Sequence, residues 1–151
     1  MPKFKFKLDA LKKYRERRLL VAKKDLMEVE SRFQQTTEKV RHCESERLSV
    51  LGFDPADIKM LPLMGVLASG QNQKIDQFKK ELTQIETEIE RHRSWVSHLS
   101  KELKAVERLE EKKRQAFDED MRKYERRFQD AWVVERWSIS RDPEDTEGAD
   151  R

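Results

Sequence analysis

The fold is decided by residues 73–137, whose central part, residues 75–106, reads IDQFKKELTQIETEIERHRSWVSHLSKELKAV. Apolar residues recur there at alternating steps of three and four, which is the spacing of a coiled-coil seam. His92 takes the one position in this series where an apolar residue is expected. Neither Pro nor Gly interrupts the stretch, so we predict one unbroken helix that buries its apolar stripe against a partner helix. The predicted seam residues are Ile75, Phe78, Leu82, Ile85, Ile89, Val96, Leu99, Leu103 and Val106.

The first third of the chain supplies the partner helix. Its apolar spacing is regular after Leu19, whereas the spacing of eleven residues between Leu8 and Leu19 is a stutter that locally unwinds a left-handed supercoil. Arg15, Thr36 and Arg47 occupy seam positions and make this helix the weaker coiled-coil strand. Its seam runs through Leu8, Leu11, Arg15, Leu19, Ala22, Leu26, Val29, Phe33, Thr36, Val40, Cys43, Arg47 and Val50.

Helix-breaking residues are concentrated in one place. Five of the eight Gly and Pro residues lie between Gly52 and Gly70, which indicates a single connector between two long helices. We expect Gly52 to cap the first helix in a left-handed conformation. Asp54 and Pro55 are typical of the start of a short helix, which Pro62 is predicted to end.

These signals predict an all-α fold, a long two-helix antiparallel coiled-coil hairpin with a short proline-interrupted connector. We expect one domain, residues 1–138, with helices at residues 4–51 and 72–138 and the connector at residues 52–71. Residues 139–151 contain five acids and two Arg, and we expect them to form a disordered acidic tail.

The connector is unusually apolar for a hairpin loop. It contains Leu61, Leu63, Met64, Val66 and Leu67, and it is longer than a turn between two helices needs. Two interpretations follow. The apolar side chains cap the open end of the seam, or Met64, Val66 and Leu67 stay partly exposed as a partner-binding tip.

Composition limits the class of protein. Charged residues make up 42% of the chain and hydrophobic residues 36%, which leaves too little apolar material for a thick globular core. The single Cys43 excludes an internal disulfide framework, and no apolar run approaches the length of a signal peptide core or a membrane span. We therefore expect a soluble intracellular protein.

The charge is unevenly distributed. Residues 1–24 contain ten Lys or Arg and two acids, a net charge of +8, which makes this end a candidate docking surface for an acidic partner. An antiparallel hairpin leaves about twenty residues at the end of the second helix without a partner strand. They carry a candidate contact surface of aromatic and basic residues, namely Phe128, Trp132 and Trp137 with Arg122, Lys123, Arg126 and Arg127.

The candidate catalytic and metal-binding motifs in the sequence are incomplete. Gly65 and Gly70 have the spacing of a phosphate loop, but Gln71 and Asn72 follow where Lys and Ser or Thr are required. Helical metal ligands need a separation of three or four residues, and the three histidines do not provide it. We expect no enzymatic activity, no cofactor, no metal and no small-molecule substrate.

Nucleic acid binding is the next alternative, because Lys- and Arg-rich helices attract phosphates. The thirty acids are interleaved with the thirty-three basic residues, so we expect no nucleic acid partner. A membrane-surface role for Phe4 and Phe6 with their neighbouring lysines rests on equally unspecific grounds.

The start of the chain carries a family resemblance. Residues 4–11 read FKFKLDAL and residues 14–18 read YRERR, which resembles the start of the flagellar export protein FliJ family, with its Phe-x-Phe-x-Leu lead and Leu/Arg-rich helix. The late charged segments at residues 111–114 and 124–127 fit too, and the similarity covers residues 3–135. The connector, the late tryptophans and the acidic tail depart from the family pattern.

The resemblance implies a non-enzymatic component of the flagellar type III export apparatus, which serves flagellum biogenesis and motility from the cytoplasmic face of the inner membrane. Family members form an antiparallel coiled coil similar to the central stalk of rotary ATPases. They insert into the hexameric export ATPase, contact the transmembrane export gate and handle export chaperones.

From this resemblance we form two hypotheses about partner-binding residues. Met64 and Val66 are assigned to the gate side, and the terminal end docks in the ATPase ring. Two alternatives stay open, the equivalent stalk of a virulence injectisome and a generic intracellular coiled-coil scaffold. The heptads alone do not distinguish an intramolecular hairpin from an intermolecular bundle. The residues assigned to the ring are Arg15, Arg17, Arg18, Lys23, Lys24 and Trp132.

Overall fold

The computed structural model describes residues 3–52, 54 and 58–139. Helix α1 covers Asp9–Leu51, a single 3-10 turn covers Ile58–Met60, and helix α2 covers Leu61–Ile139. The described residues contain no strand, so the predicted all-α class is confirmed.

The chain forms two compact units. The hairpin unit consists of Ala10–Lys104, and the terminal unit consists of Met1–Asp9 together with Ala105–Arg151. The predicted single domain of residues 1–138 is thus divided between them.

In the hairpin unit, α1 and α2 pack against each other through three successive apolar clusters. Leu19 and Ala22 pack with Leu99 at one end, and Val29 packs with Ile85 and Ile89 in the middle. Residue numbers rise along α1 while they fall along α2, so the two helices are antiparallel, as predicted. The third cluster joins Val40 and Cys43 to Ile75.

Polar pairs across the seam agree with this register. Arg32 Nη1 lies 3.1 Å from Glu88 Oε2, and Arg93 Nη2 lies 3.2 Å from Glu30 Oε1. All four side chains are substantially exposed, and ion pairs of this kind contribute about 0–1 kcal/mol. The apolar seam, whose most buried member is Ile85 at 1% exposure, therefore contributes most of the stability.

The polar residues predicted at seam positions are at least half-buried. Thr36 is buried, and Arg15 and Arg47 are half-buried. Arg47 Nη1 donates to Asn72 Oδ1 at 3.0 Å. Among the described residues, however, Arg47 Nε and Gln71 Oε1 are buried without a hydrogen-bond partner. These groups oppose the stability of the connector end of the hairpin unit.

The predicted start of the second helix is wrong. Helix α2 begins at Leu61, eleven residues before residue 72, and Pro62 lies in its first turn instead of ending a preceding helix. The first backbone N–H groups of a helix have no intrahelical partner, so Pro costs little there. Gly65 and Gly70 lie inside the helix at a cost of about 1 kcal/mol each relative to Ala. The connector is correspondingly shorter than predicted.

The first helix ends at Leu51, as predicted, but its start and the conformation of Gly52 differ from the prediction. It begins at Asp9 instead of residue 4, after a turn in which the Asp9 N–H donates to the Phe6 carbonyl at 3.2 Å. Gly52 does not adopt the predicted left-handed conformation, since no described glycine has a positive φ. Its N–H donates to the Leu48 carbonyl at 2.8 Å. Residues 55–57 of the predicted short helix and residues 140–151 of the predicted tail lie outside the described residues.

In the terminal unit, the Phe-x-Phe lead packs on α2. The rings of Phe4 and Phe117 are 5.7 Å apart between centroids, and the Arg114 guanidinium lies 5.7 Å from the centroid of the Phe4 ring. Phe117 and Met121 are half-buried, and every residue after Met121 as far as Ile139 is exposed. Across residues 3–52, 54 and 58–139, no helix has an apolar stretch long enough to cross a membrane.

Candidate functional site

The described part of the chain carries several exposed surfaces. It contains no group of three His, Cys, Asp or Glu side chains able to hold a metal ion. Cys43 is buried in the seam beside Val40 and Ile75. The candidate functional sites are three exposed surfaces, two in the hairpin unit and one in the terminal unit.

The first surface is basic and lies at the end of the hairpin unit away from the connector. Residues 10–24 of α1 lie opposite residues 91–104 of α2, as the hydrogen bond from Arg15 to Glu102 shows. Together these segments contain eleven Lys or Arg and two acids, a net charge of +9. Residues 25–90 contain thirteen acids and eight basic residues, a net charge of −5. The hairpin unit is therefore strongly polarised along its length.

The predicted ring-docking residues of α1 differ in their surroundings. Arg17, Arg18, Lys23 and Lys24 are exposed. Arg15 is half-buried, and its Nη1 donates to the Glu102 carbonyl oxygen at 2.8 Å. Arg15 thus stabilises the helix pair, whereas the other four are accessible to a partner.

Sequence reasoning missed the aromatic residue on this surface. Trp95 is 42% exposed, the Arg18 Cζ lies 5.0 Å from the centroid of its ring, and the His98 ring stacks on it at 5.7 Å. The seam spacing assigns Val96 to the interior and leaves Trp95 outside the pattern. The sequence did contain a signal for this residue. Trp95 lies among charged residues of a helix whose buried positions were already assigned to other side chains.

The second surface is apolar and lies at the connector end of the hairpin unit. Val66 is 67% exposed, and Met64 is half-buried. This exposure agrees with the second interpretation of the connector, in which these side chains do not close the seam. Binding of a partner there stays a prediction. The other exposed apolar residues of this surface are Ile58, Met60, Leu61, Leu63 and Leu67.

The third surface belongs to the terminal unit. A concave space of about 690 Å³ lies along α2. Trp132 comes after it in the sequence and is exposed. The Arg136 Cζ lies 4.8 Å from the centroid of the Trp132 ring. Trp132 and the basic residues of α1 were predicted to act as one docking set, but they belong to different units. The concave space is lined by Phe117, Asp120, Met121, Tyr124, Glu125, Phe128 and Gln129.

Comparison of the chain with protein-family models, with curated proteins and with solved structures gives no match.

Proposed function

We propose that this chain is a non-enzymatic, stalk-like component of the flagellar type III protein export apparatus. The observation that carries the proposal is the antiparallel pairing of α1 and α2 through a continuous apolar seam. The Phe-x-Phe-x-Leu opening at Phe4, Phe6 and Leu8 supports it. In this proposal the helix pair transmits force or position between two partners. It needs no reactive site of its own to do so.

The first partner in this proposal is the hexameric export ATPase. The basic end of the hairpin unit, with a net charge of +9 over residues 10–24 and 91–104, is suited to an acidic surface, because opposite potentials steer association. Arg17, Lys23 and Lys24 are exposed there. Trp132 and Trp137 of the terminal unit are exposed and are a separate candidate contact, because Trp is enriched among the residues that dominate binding energy.

The second partner is the transmembrane export gate, bound by the apolar surface at the connector end. Exposed apolar residues that cluster on one surface are typical of contact sites, and Leu63, Val66 and Leu67 meet this description. Export chaperones are the third class of partner. In this proposal the protein works at the cytoplasmic face of the inner membrane.

The test is titration of the purified chain into the cognate hexameric export ATPase, with ring assembly and hydrolysis rate as readouts. We expect stimulation that saturates near one chain per hexamer. The double variant Arg17→Glu, Lys24→Glu should lose most of this stimulation, because both side chains are exposed and their reversal does not disturb the seam.

The matched control is Lys79→Glu, Lys80→Glu, which makes the same change in net charge on an exposed part of α2 far from the basic end. If both double variants lost the same share of ATPase stimulation, the loss would follow from the change in net charge and not from the basic end. A folded, helical chain that neither binds nor stimulates the ATPase would overturn the proposal.

The gate contact is tested separately with Val66→Asp, Leu67→Asp, since both side chains are exposed and tolerate a charge without unfolding the seam. Met64 is half-buried and is a less suitable test position. Gate binding should fall while ATPase stimulation stays unchanged. Unchanged gate binding would remove the connector surface from the proposal.

A generic coiled-coil scaffold is the second candidate function. The observation that favours it is the apolar row of Phe117, Met121, Tyr124 and Phe128, which continues at steps of three and four on the surface of the terminal unit. A scaffold should self-associate through this row and leave the ATPase unaffected. The stalk of a virulence injectisome is distinguished from the flagellar one by whether deletion of the gene abolishes motility.

A further inference from the structure

Side chains from both helices of the hairpin unit meet on one flank of the seam. The Arg18 guanidinium of α1 lies over the Trp95 ring of α2 with 5.0 Å between Cζ and the ring centroid. His98, one turn after Trp95, stacks on the same ring with an interplanar angle of 26°. Trp95 is therefore held in place from both helices while 42% of it stays exposed.

The surface continues along both helices from this contact. Tyr14 and Val21 lie four residues before and three residues after Arg18, so they neighbour it on the same face of α1, and both are exposed. Arg91 lies one turn before Trp95 on α2 and is also exposed. We call this surface the Trp95 patch, and it consists of Tyr14, Arg18, Val21, Arg91 and Trp95.

The composition of the Trp95 patch is that of an interface centre. Trp, Tyr and Arg are the residue types most enriched among positions that dominate binding energy, and the patch contains all three. The contact between Arg18 and Trp95 orders a long side chain before any partner arrives, which lowers the entropy cost of binding. The guanidinium edge can still donate hydrogen bonds to a carboxylate.

We infer that the Trp95 patch binds an acidic amphipathic segment of another protein, with carboxylates on the arginines and an apolar side chain against Trp95 and Val21. Charge complementarity supports this occupant, because the patch lies in the segment pair whose net charge is +9. The inference does not depend on the partner being the export ATPase. It concerns the chemistry of the segment that is bound.

The acids near the patch favour a peptide over a nucleic acid. Glu102 lies 3.3 Å from His98 Nε2, Glu90 lies 3.6 Å from Arg93, and Asp25 lies one turn after Val21. A phosphate backbone carries a charge at every nucleotide and would meet these carboxylates. A peptide can place its acids only where the arginines are.

The experiment uses the full chain and a fluorescein-labelled synthetic peptide of about 20 residues, long enough for helix formation, with Glu on one face and Leu and Phe on the other. Fluorescence anisotropy measures affinity. A second preparation carries Trp132→Phe and Trp137→Phe, so that Trp95 is the only tryptophan and its emission reports binding at the patch.

We expect saturable binding, a shift of Trp95 emission, and a dissociation constant that rises at least about tenfold in Arg18→Glu and in Trp95→Ala. Lys80→Glu, an exposed charge reversal away from the patch, should change it less than about twofold. Circular dichroism melting of each variant checks that the helices are intact. Arg18→Lys should retain part of the affinity.

Equal weakening by Lys80→Glu and Arg18→Glu would overturn the inference, since binding would then follow net charge alone. So would an emission shift of Trp95 with oligouridylate or with phosphatidylserine vesicles but not with the acidic peptide. A peptide with Lys in place of every Glu should not bind, and binding of this peptide would also contradict the inference.

Discussion

Arg15 Nη1 donates a hydrogen bond to the backbone carbonyl oxygen of Glu102 across 2.8 Å, and so links α1 to α2. Arg15 occupies a seam position and is half-buried, and its charged head reaches the facing backbone. Long basic side chains commonly bury their stems in this way while the head stays hydrated or hydrogen-bonded. The residue therefore has a structural role whether or not it also meets a partner.

Replacement of Arg15 should test this structural role. We expect Arg15→Ala to lower the free energy of unfolding by about 1–2 kcal/mol, because it removes a charged hydrogen bond and the packing of the stem. Urea denaturation followed by circular dichroism measures the change. Arg17→Ala is the control, since Arg17 is exposed and its loss should cost less than about 0.5 kcal/mol. Equal values for the two variants would mean that the bond to Glu102 contributes nothing.

The centre of the seam should be far more sensitive than the connector surface. Ile85 is 1% exposed and packs with Val29 and Ile89, so Ile85→Ala should cost about 2–5 kcal/mol from lost burial and the cavity left behind. Leu63→Ala should cost less than about 0.5 kcal/mol, because Leu63 is exposed. A loss above 2 kcal/mol in Leu63→Ala would show that this surface is covered in solution.

The sequence predicts the seam well because burial repeats with the period of the helix. Val29, Ile85 and Leu99 are buried as their spacing requires, and antiparallel pairing follows once a single connector joins two complementary stripes. The start of α2 was misjudged at Pro62. Proline ends a helix from its interior but is tolerated in the first turn, and the residues around Pro62 do not tell these two positions apart.

The candidate surfaces depend on more than periodicity. Trp95 meets Arg18 only because the two helices adopt one particular register, and register comes from the packing of the whole seam. Whether Val66 is exposed depends on how the first turns of α2 are oriented. The apolar composition of the connector was therefore compatible with both interpretations.

The polar residues near the connector include Arg47, where a substitution should increase the stability of the protein. Arg47 is half-buried, and within the described residues its Nε has no hydrogen-bond partner. Arg47→Leu should raise the free energy of unfolding by about 0.5–2 kcal/mol, because it places an apolar side chain in the seam and removes an unsatisfied donor. The measurement is the urea midpoint, with an unchanged slope as the sign that only stability changed.

A second arginine serves as the control for a general gain in stability that comes only from the removal of a positive charge. Arg41 is exposed on the same helix and pairs with Glu38 at 2.8 Å, so Arg41→Leu should change stability by less than about 0.5 kcal/mol. If Arg47→Leu destabilised the protein, the hydrogen bond from Arg47 to Asn72 would outweigh the burial of its unpaired nitrogen.

Cys43 provides a direct measure of how often the seam opens. It is the only cysteine of the chain and is buried with Val40 and Ile75. A thiol reagent such as Ellman's reagent should label the native protein at least about 100-fold more slowly than the urea-unfolded protein, because an opening cost near 3 kcal/mol is enough for that factor. Ile75→Ala should speed labelling, since it weakens the same cluster.

The control moves the thiol to the surface of the same turn. In Ser45→Cys combined with Cys43→Ala, the new cysteine occupies an exposed position and should react at nearly the unfolded rate. If native Cys43 reacted as fast as this exposed cysteine, α1 and α2 would separate readily between Val40 and Ile75. Slow labelling of Cys43 beside fast labelling at position 45 would instead show that the seam stays closed up to its last apolar cluster.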